Sequence, residues 1–190
     1  MKKFVETLKQ TGRAIRAMNL PNKLTLLRIA LVPVCLILLY AGQFVWSAAV
    51  FALACVTDFL DGKIARRNKL ITNFGKFADP IADKILTVTM MIFLSSLHML
   101  PVWLPVIVVI RELMVDGLRL IAMEKGRVVA AGWSGKIKTV LQMITILTAL
   151  LLFNEHYINI LSLAVCALTI FSGVQYFWEL RDLFREDFGK

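Results

Sequence analysis

Long apolar stretches alternate with short polar connections along the whole chain. Six stretches approach the length of about 20 residues with which an α-helix crosses a bilayer. They run over Leu24–Val45, Ser47–Asp61, Ile81–Leu97, Val102–Met123, Ile137–Phe153 and Ile158–Trp178. The pattern predicts an all-α integral membrane protein with six transmembrane helices.

The composition supports this prediction. Hydrophobic residues make up 58% of the 190 positions, more than the core of a soluble domain of this size could hide from water. Residues 1–18 are basic and amphipathic and lack the apolar core of a secretory signal, so we expect a helix on the membrane surface. A six-helix domain over 19–180 and a tail over 181–190 complete the predicted organisation.

The basic residues predict the orientation of the helices. All 22 lysines and arginines lie before or at the start of the first stretch, around the second and fourth connections, or after the sixth stretch. Because short basic segments stay cytoplasmic, both termini are predicted to be cytoplasmic. The net charge of +9 is therefore better explained by anionic lipid headgroups and phosphate substrates than by nucleic acid.

Four aspartates interrupt the apolar pattern. Asp58 and Asp61 end the second stretch, and Asp79 and Asp83 surround the start of the third. Each pair recurs at about one helical turn and so lies on one face, with Pro80 compatible with a helix if it falls in the first turn. Charged side chains within apolar helices are costly and usually mark a functional site.

Carboxylates brought so close together need a positive charge between them. Oxygen ligands without histidine or cysteine favour a hard cation such as Mg²⁺ or Mn²⁺, and four acids suit two metals bridging a phosphoryl group. Two alternatives remain open at this point. The acids could form salt bridges with nearby Lys63, Arg66, Lys76 and Lys84, or the chain could be a small cation transporter.

The acids belong to a longer pattern that fixes eight positions: Asp58, Asp61, Gly62, Ala65, Arg66, Gly75, Asp79 and Asp83. Every spacing matches, and the pattern resembles the signature of the CDP-alcohol phosphatidyltransferase family. The resemblance implies that the four aspartates hold two divalent cations, and that Asp83 is also the base that deprotonates the acceptor alcohol.

The same resemblance implies a binding site for CDP-diacylglycerol. Its residues would be Gly62, Ala65, Arg66 and Gly75, together with Asn22, Thr25 and Thr72. For Asn22 and Thr25 the alternative is a helix N-cap before the first span. The family further implies a homodimer in a bacterial inner membrane, with the active site facing the cytoplasm.

Further strings, around Ile110–Leu113, Gly117–Arg119 and Gly135–Gln142, resemble family members whose acceptor is sn-glycerol 3-phosphate. Arg111, Arg119 and Lys136 are the candidates to bind the acceptor phosphate. For Lys138 we favour anchoring at the membrane surface, and for Glu112 a pairing with a basic neighbour. The alternative within the family is another acceptor, such as serine, an inositol phosphate or phosphatidylglycerol.

Overall fold

The computed structural model describes residues 20–67, 73–126 and 132–182, without the side chains of residues 20–22 and 59–80. Every regular element in these residues is an α-helix. In chain order they are α1 (Leu20–Tyr40), α2 (Phe44–Arg67), α3 (Asn73–Ser96), α4 (Trp103–Glu124), α5 (Trp133–Leu151) and α6 (Glu155–Glu179). The expectation of an all-α chain is confirmed for this part; the predicted surface helix of residues 1–18 lies outside it.

Several helix ends differ from the ends of the apolar stretches. The first helix stops at Tyr40 because Gly42 adopts a φ of +72° and turns the chain. The second continues to Arg67, and α3 begins at Asn73, well before the apolar stretch. Backbone hydrogen bonds do not depend on side-chain polarity, so a helix can extend beyond its apolar part. Pro80 consequently lies inside α3. The sequence had suggested a position in the first turn of this helix, which is wrong.

Three helical segments in the described part of the chain are long and apolar enough to cross a membrane: Lys23–Tyr40, Trp133–Leu151 and Glu155–Glu179. A shorter apolar segment, Phe44–Asp58, lies on α2. Large aliphatic side chains such as Ile37 and Leu163 are exposed on these helices, as expected for surfaces that face lipid. These are features of a membrane protein, while the crossing of all six helices stays a prediction.

The chain divides into two compact units, Met1–Leu86 and Thr87–Lys190. In the first unit α1 packs against α2 as an antiparallel hairpin. A buried stripe follows α1 at helical spacing and comprises Thr25, Arg28, Val32, Cys35 and Leu39. Near the turn, the Ser47 hydroxyl on α2 donates a hydrogen bond of 3.0 Å to the backbone carbonyl of Cys35.

The second unit contains α4, α5, α6 and the last part of α3. Within it α6 packs against both α5 and α4. One buried cluster joins α4 to the end of α6 and consists of Val115, Leu118, Ala122, Tyr176 and Leu180. The start of α6 is capped by Asn154, whose side-chain oxygen accepts from the backbone N–H groups of His156 and Tyr157, which fixes where this helix begins.

Candidate active site

The acidic part of the candidate site lies in the first unit. Asp58 is on α2 and Asp83 is on α3, and both side chains are partly exposed. Asp61 lies on α2 and Asp79 on α3, but the structure describes only the backbone of these two residues. Each helix therefore carries two of the four aspartates about one turn apart, as the spacing predicts.

Both described acids act electrostatically on one residue of α2, Cys55. Cys55, one turn before Asp58, is within electrostatic range of Asp83, Asp58 and Arg28. A carboxylate from α3 and one from α2 are thus brought into the same neighbourhood. That all four aspartates share one site stays a prediction.

The partner of Asp58 is a residue that sequence reasoning missed. Arg28 of α1 places its Nη1 atom 2.8 Å from Asp58 Oδ1, and its side chain is fully buried whereas that of Asp58 is 34% exposed. The sequence grouped Arg28 with the basic residues at the membrane surface, but the structure buries it in the hairpin. The helix-end salt bridges expected as an alternative do not include this pair.

The predicted nucleotide residues are spread over three helices. Gly62, Ala65 and Arg66 lie near the end of α2, and Gly75 lies in the first turn of α3, while Thr72 falls outside the described residues. Asn22 and Thr25 lie within α1, which begins at Leu20, so neither is an N-cap. Thr25 is completely buried, one turn before Arg28 on the same stripe.

The second unit holds a buried cluster of three charged residues. Glu112 of α4 accepts a hydrogen bond of 3.1 Å from Arg111 Nη1 and a very close one from Lys138 Nζ of α5. The Arg111 and Glu112 side chains are 12% exposed. The Arg111 Nε atom has no hydrogen-bond partner among the described residues. The cluster carries one net positive charge, which suits an anion.

Glycines make room for Arg111 in this cluster. A Cβ atom added at Gly173 of α6 would lie 3.3 Å from Arg111 Cγ, and one added at Gly135 of α5 would lie 3.7 Å from Arg111 Nη2. The Arg111 side chain therefore passes α6 at Gly173 and α5 at Gly135, where a glycine leaves space for it.

The three residues predicted to bind the acceptor phosphate make different contacts. Arg119 Nε donates a hydrogen bond of 2.9 Å to the Tyr176 hydroxyl, and Lys136 Nζ lies 4.9 Å from the centre of the exposed Trp133 ring. Neither contacts Arg111, which is instead linked through Glu112 to Lys138.

Lys138 and Glu112 differ in how they match what the sequence predicts. The expectation that Lys138 is a surface anchor is wrong, because this side chain is only 4% exposed. The expectation that Glu112 pairs with a basic residue is confirmed.

The donor chemistry of the acidic part fits the predicted metals. Asp58 and Asp83 offer carboxylate oxygens in a partly exposed setting, and such hard oxygen ligands suit Mg²⁺ or Mn²⁺. Repulsion between the acids also favours a bound cation. The aspartates could therefore hold the two ions that the sequence predicts.

Comparison with known proteins decides the family. The family model described as CDP-alcohol phosphatidyltransferase matches residues 18–173, which include both the acidic signature and the Arg111 cluster. The chain belongs to this family. It is therefore a transferase that acts on phosphate groups, which favours catalysis over the cation-transport alternative.

Individual members of the CDP-alcohol phosphatidyltransferase family are similar over most of their length. A CDP-diacylglycerol–glycerol-3-phosphate 3-phosphatidyltransferase of Bacillus subtilis is 41% identical over 187 residues, covering 85% of this chain and 96% of the relative. A probable phosphatidylglycerophosphate synthase of Mycobacterium tuberculosis is 43% identical over 180 residues, covering 90% and 85%. A CDP-diacylglycerol–glycerol-3-phosphate 3-phosphatidyltransferase of Wigglesworthia glossinidia brevipalpis is 36% identical, covering 88% of this chain and 98% of the relative.

Proposed function

We propose that this transferase moves the phosphatidyl group of CDP-diacylglycerol to sn-glycerol 3-phosphate and releases CMP, which is the synthesis of phosphatidylglycerophosphate. The observation that carries this proposal is the 41% identity to a relative named for this donor and acceptor. The buried, positively charged cluster around Arg111 is consistent with it, because a phosphorylated acceptor requires cations that a choline-like or neutral acceptor would not require.

In this proposal Asp58, Asp61, Asp79 and Asp83 hold two divalent cations, Mg²⁺ or Mn²⁺. Such ions would supply charge neutralisation at the attacking and departing oxygens of the phosphoryl group. Gly62, Ala65, Arg66 and Gly75, with Asn22, Thr25 and Thr72, form the proposed CDP-diacylglycerol site. Small residues there would allow the nucleotide to approach the helix backbone closely.

Asp83 is the proposed general base. It would accept the proton of the acceptor hydroxyl as that oxygen forms a bond to the phosphorus attached to diacylglycerol. The bond from this phosphorus to the bridging oxygen breaks, and CMP leaves with the electron pair. The protein's remaining task is to orient the two substrates, because positioning and electrostatics supply most of the lowering of the activation barrier in such a transfer.

Arg111, Arg119 and Lys136 remain the proposed residues for the acceptor phosphate. Arg111 has the strongest structural support, since its side chain is largely buried and its Nε atom has no acceptor among the described residues. We further propose that both termini and the active site lie on the cytoplasmic side, because the basic connections lie on one side of the predicted helices. From the family we also propose a homodimer in a bacterial inner membrane.

The test is CMP release from CDP-diacylglycerol by the purified protein in detergent. Glycerol 3-phosphate, serine, inositol phosphate and phosphatidylglycerol are offered in parallel, with Mg²⁺ or Mn²⁺ and with a chelator. We expect release with glycerol 3-phosphate alone, and its loss on chelation. Release with another acceptor would refute the proposed acceptor while retaining the family chemistry.

Asp83→Asn tests the base. We expect it to reduce the rate of CMP release by about 10²–10⁴-fold, the usual contribution of a general base. Asp182→Asn is the matched control, because Asp182 is an exposed acid after α6 and its loss should leave the rate unchanged. A rate in Asp83→Asn equal to that of the control would exclude Asp83 as the base.

A further inference from the structure

Arg28 is an unusual residue in the α1–α2 hairpin. Its side chain has no solvent exposure, yet it belongs to a stripe whose neighbouring members, Thr25, Val32 and Cys35, are uncharged. Its Nη1 atom lies 2.8 Å from Asp58 Oδ1. A guanidinium enclosed in this way has its stem held by packing, so its charged end occupies a defined position relative to α2.

Stability alone is a weak reason for such a pair. Removing the Arg28 charge from water costs several kcal/mol, and an apolar residue of similar volume is often equally or more stable at a buried position. The rest of the hairpin shows that α1 and α2 can pack without charges: Phe51 and Ala54 of α2 are completely buried apolar residues. The position of Asp58 in the acidic site suggests another reason.

We propose that Arg28 is a positioning residue for the metal site, which orients the Asp58 carboxylate through the ion pair between its own Nη1 atom and Asp58 Oδ1. This inference rests on the proposed function, in which Asp58 is a metal ligand. Outer groups that hold metal ligands commonly change metal affinity 10–100-fold when replaced. Because the guanidinium is already fixed by burial, Asp58 reaches its binding orientation without the ordering of a mobile partner.

Arg28→Lys is the decisive variant. It retains the positive charge and so retains its repulsion of a cation, but it loses the planar group that can hold a carboxylate in one orientation. The measurement is the Kd of Mn²⁺ for the full-length protein in detergent, followed by electron paramagnetic resonance of the free ion. We expect Mn²⁺ to bind at least about 10-fold more weakly to Arg28→Lys than to the unaltered protein.

Ser47→Ala is the matched control for packing. It removes a hydrogen bond between α1 and α2, the one that the Ser47 hydroxyl donates to the Cys35 carbonyl, and leaves the acids and Arg28 unchanged. We expect the Mn²⁺ Kd of Ser47→Ala to equal that of the unaltered protein. Weaker binding in Ser47→Ala to the same degree would mean that any disturbance of the hairpin weakens the site, and would overturn the role of Arg28.

Asp58→Asn completes a double-mutant cycle. If Arg28 acts through Asp58, then Arg28→Lys should weaken Mn²⁺ binding no further in a protein that already carries Asp58→Asn. Equal Kd values for Arg28→Lys and the unaltered protein would overturn the inference and leave the proposed function intact. No Mn²⁺ binding by the unaltered protein would instead overturn the metal site itself.

Arg28→Gln replaces Arg28→Lys if the latter does not fold. Loss of the positive charge favours a bound cation, so this change by itself strengthens Mn²⁺ binding. Weaker binding in Arg28→Gln would therefore support the positioning role against that trend. An unchanged or lower Kd would contradict it.

Discussion

The charged groups of the two units are arranged as opposites. In the first unit, the buried cation Arg28 contacts Asp58, one of the four aspartates of the signature, and that acid remains 34% exposed. In the second unit, Glu112 contacts two basic residues, Arg111 and Lys138, and all three are largely buried. In each cluster a buried group of one charge holds a group of the opposite charge, which leaves the acidic cluster suited to a cation and the Arg111 cluster suited to an anion.

Glu112→Gln should have the largest effect on this comparison. It leaves Arg111 and Lys138 close together without the carboxylate that both contact, and breaking a buried ion pair costs about 3–5 kcal/mol. The measurement is the free energy of unfolding in detergent. Glu179→Gln on α6 is the control: this exposed carboxylate accepts a bond from Gln175, so we expect a change within about 0.5 kcal/mol. Equal stability of the two variants would show that Glu112 does not hold the cluster.

Lys138→Met and Lys136→Met should separate a buried lysine from an exposed one on the same helix. We expect Lys138→Met to lower the free energy of unfolding by about 1.5–3 kcal/mol, since it removes a hydrogen bond to a charged group. Lys136 lies over the exposed Trp133 ring, so its replacement should cost less than about 1 kcal/mol. Lys136→Met should instead raise the KM for glycerol 3-phosphate. Equal losses of stability in the two variants would contradict the inference that the buried Lys138 contributes more to stability than the exposed Lys136.

Gly173→Ala should have the smallest effect, and it tests how closely Arg111 is packed. The added methyl group would lie 3.3 Å from Arg111 Cγ, so Arg111 must shift by a few tenths of an ångström. Gly117→Ala on α4 is the control, because its added Cβ meets nothing within 4 Å. We expect Gly117→Ala to stabilise the protein by about 0.5–1 kcal/mol through helix propensity, and Gly173→Ala to show none of this gain. A gain in stability at both positions would mean that Arg111 is not closely packed against Gly173.

The sequence predicted the elements better than their contacts. Hydrophobic spacing located all six helices, and the signature placed Asp58 and Asp83 on neighbouring helices. Periodicity cannot give the rotation of one helix against another, so the partner of Asp58 was not foreseen. A signal was nevertheless present: Thr25, Arg28, Val32 and Cys35 recur at intervals of three and four residues, which places Arg28 on the packed face of α1.

Lys138 offers the same lesson in the second unit. It recurs with Gln142, Thr145 and Ala149 at helical spacing, and all four are buried, whereas Lys136 falls on another face of α5. The positive-inside rule treats both lysines alike because it counts charge near a membrane surface and ignores the direction of the side chain. Helical phase would have separated them.

The depth of Arg28 in α1 also bears on how the chain enters the bilayer. Arg28 lies about 12 Å from the start of this helix, and its partner Asp58 is synthesised thirty residues later. An arginine within an inserting apolar helix is costly, up to about 2.5–3.5 kcal/mol at the helix centre and less towards its ends. Nascent chains cut before Asp58 should therefore be extracted from membranes more easily than chains cut after α2. We therefore expect the hairpin, and not its first helix alone, to be the smallest piece of this protein that inserts stably into lipid.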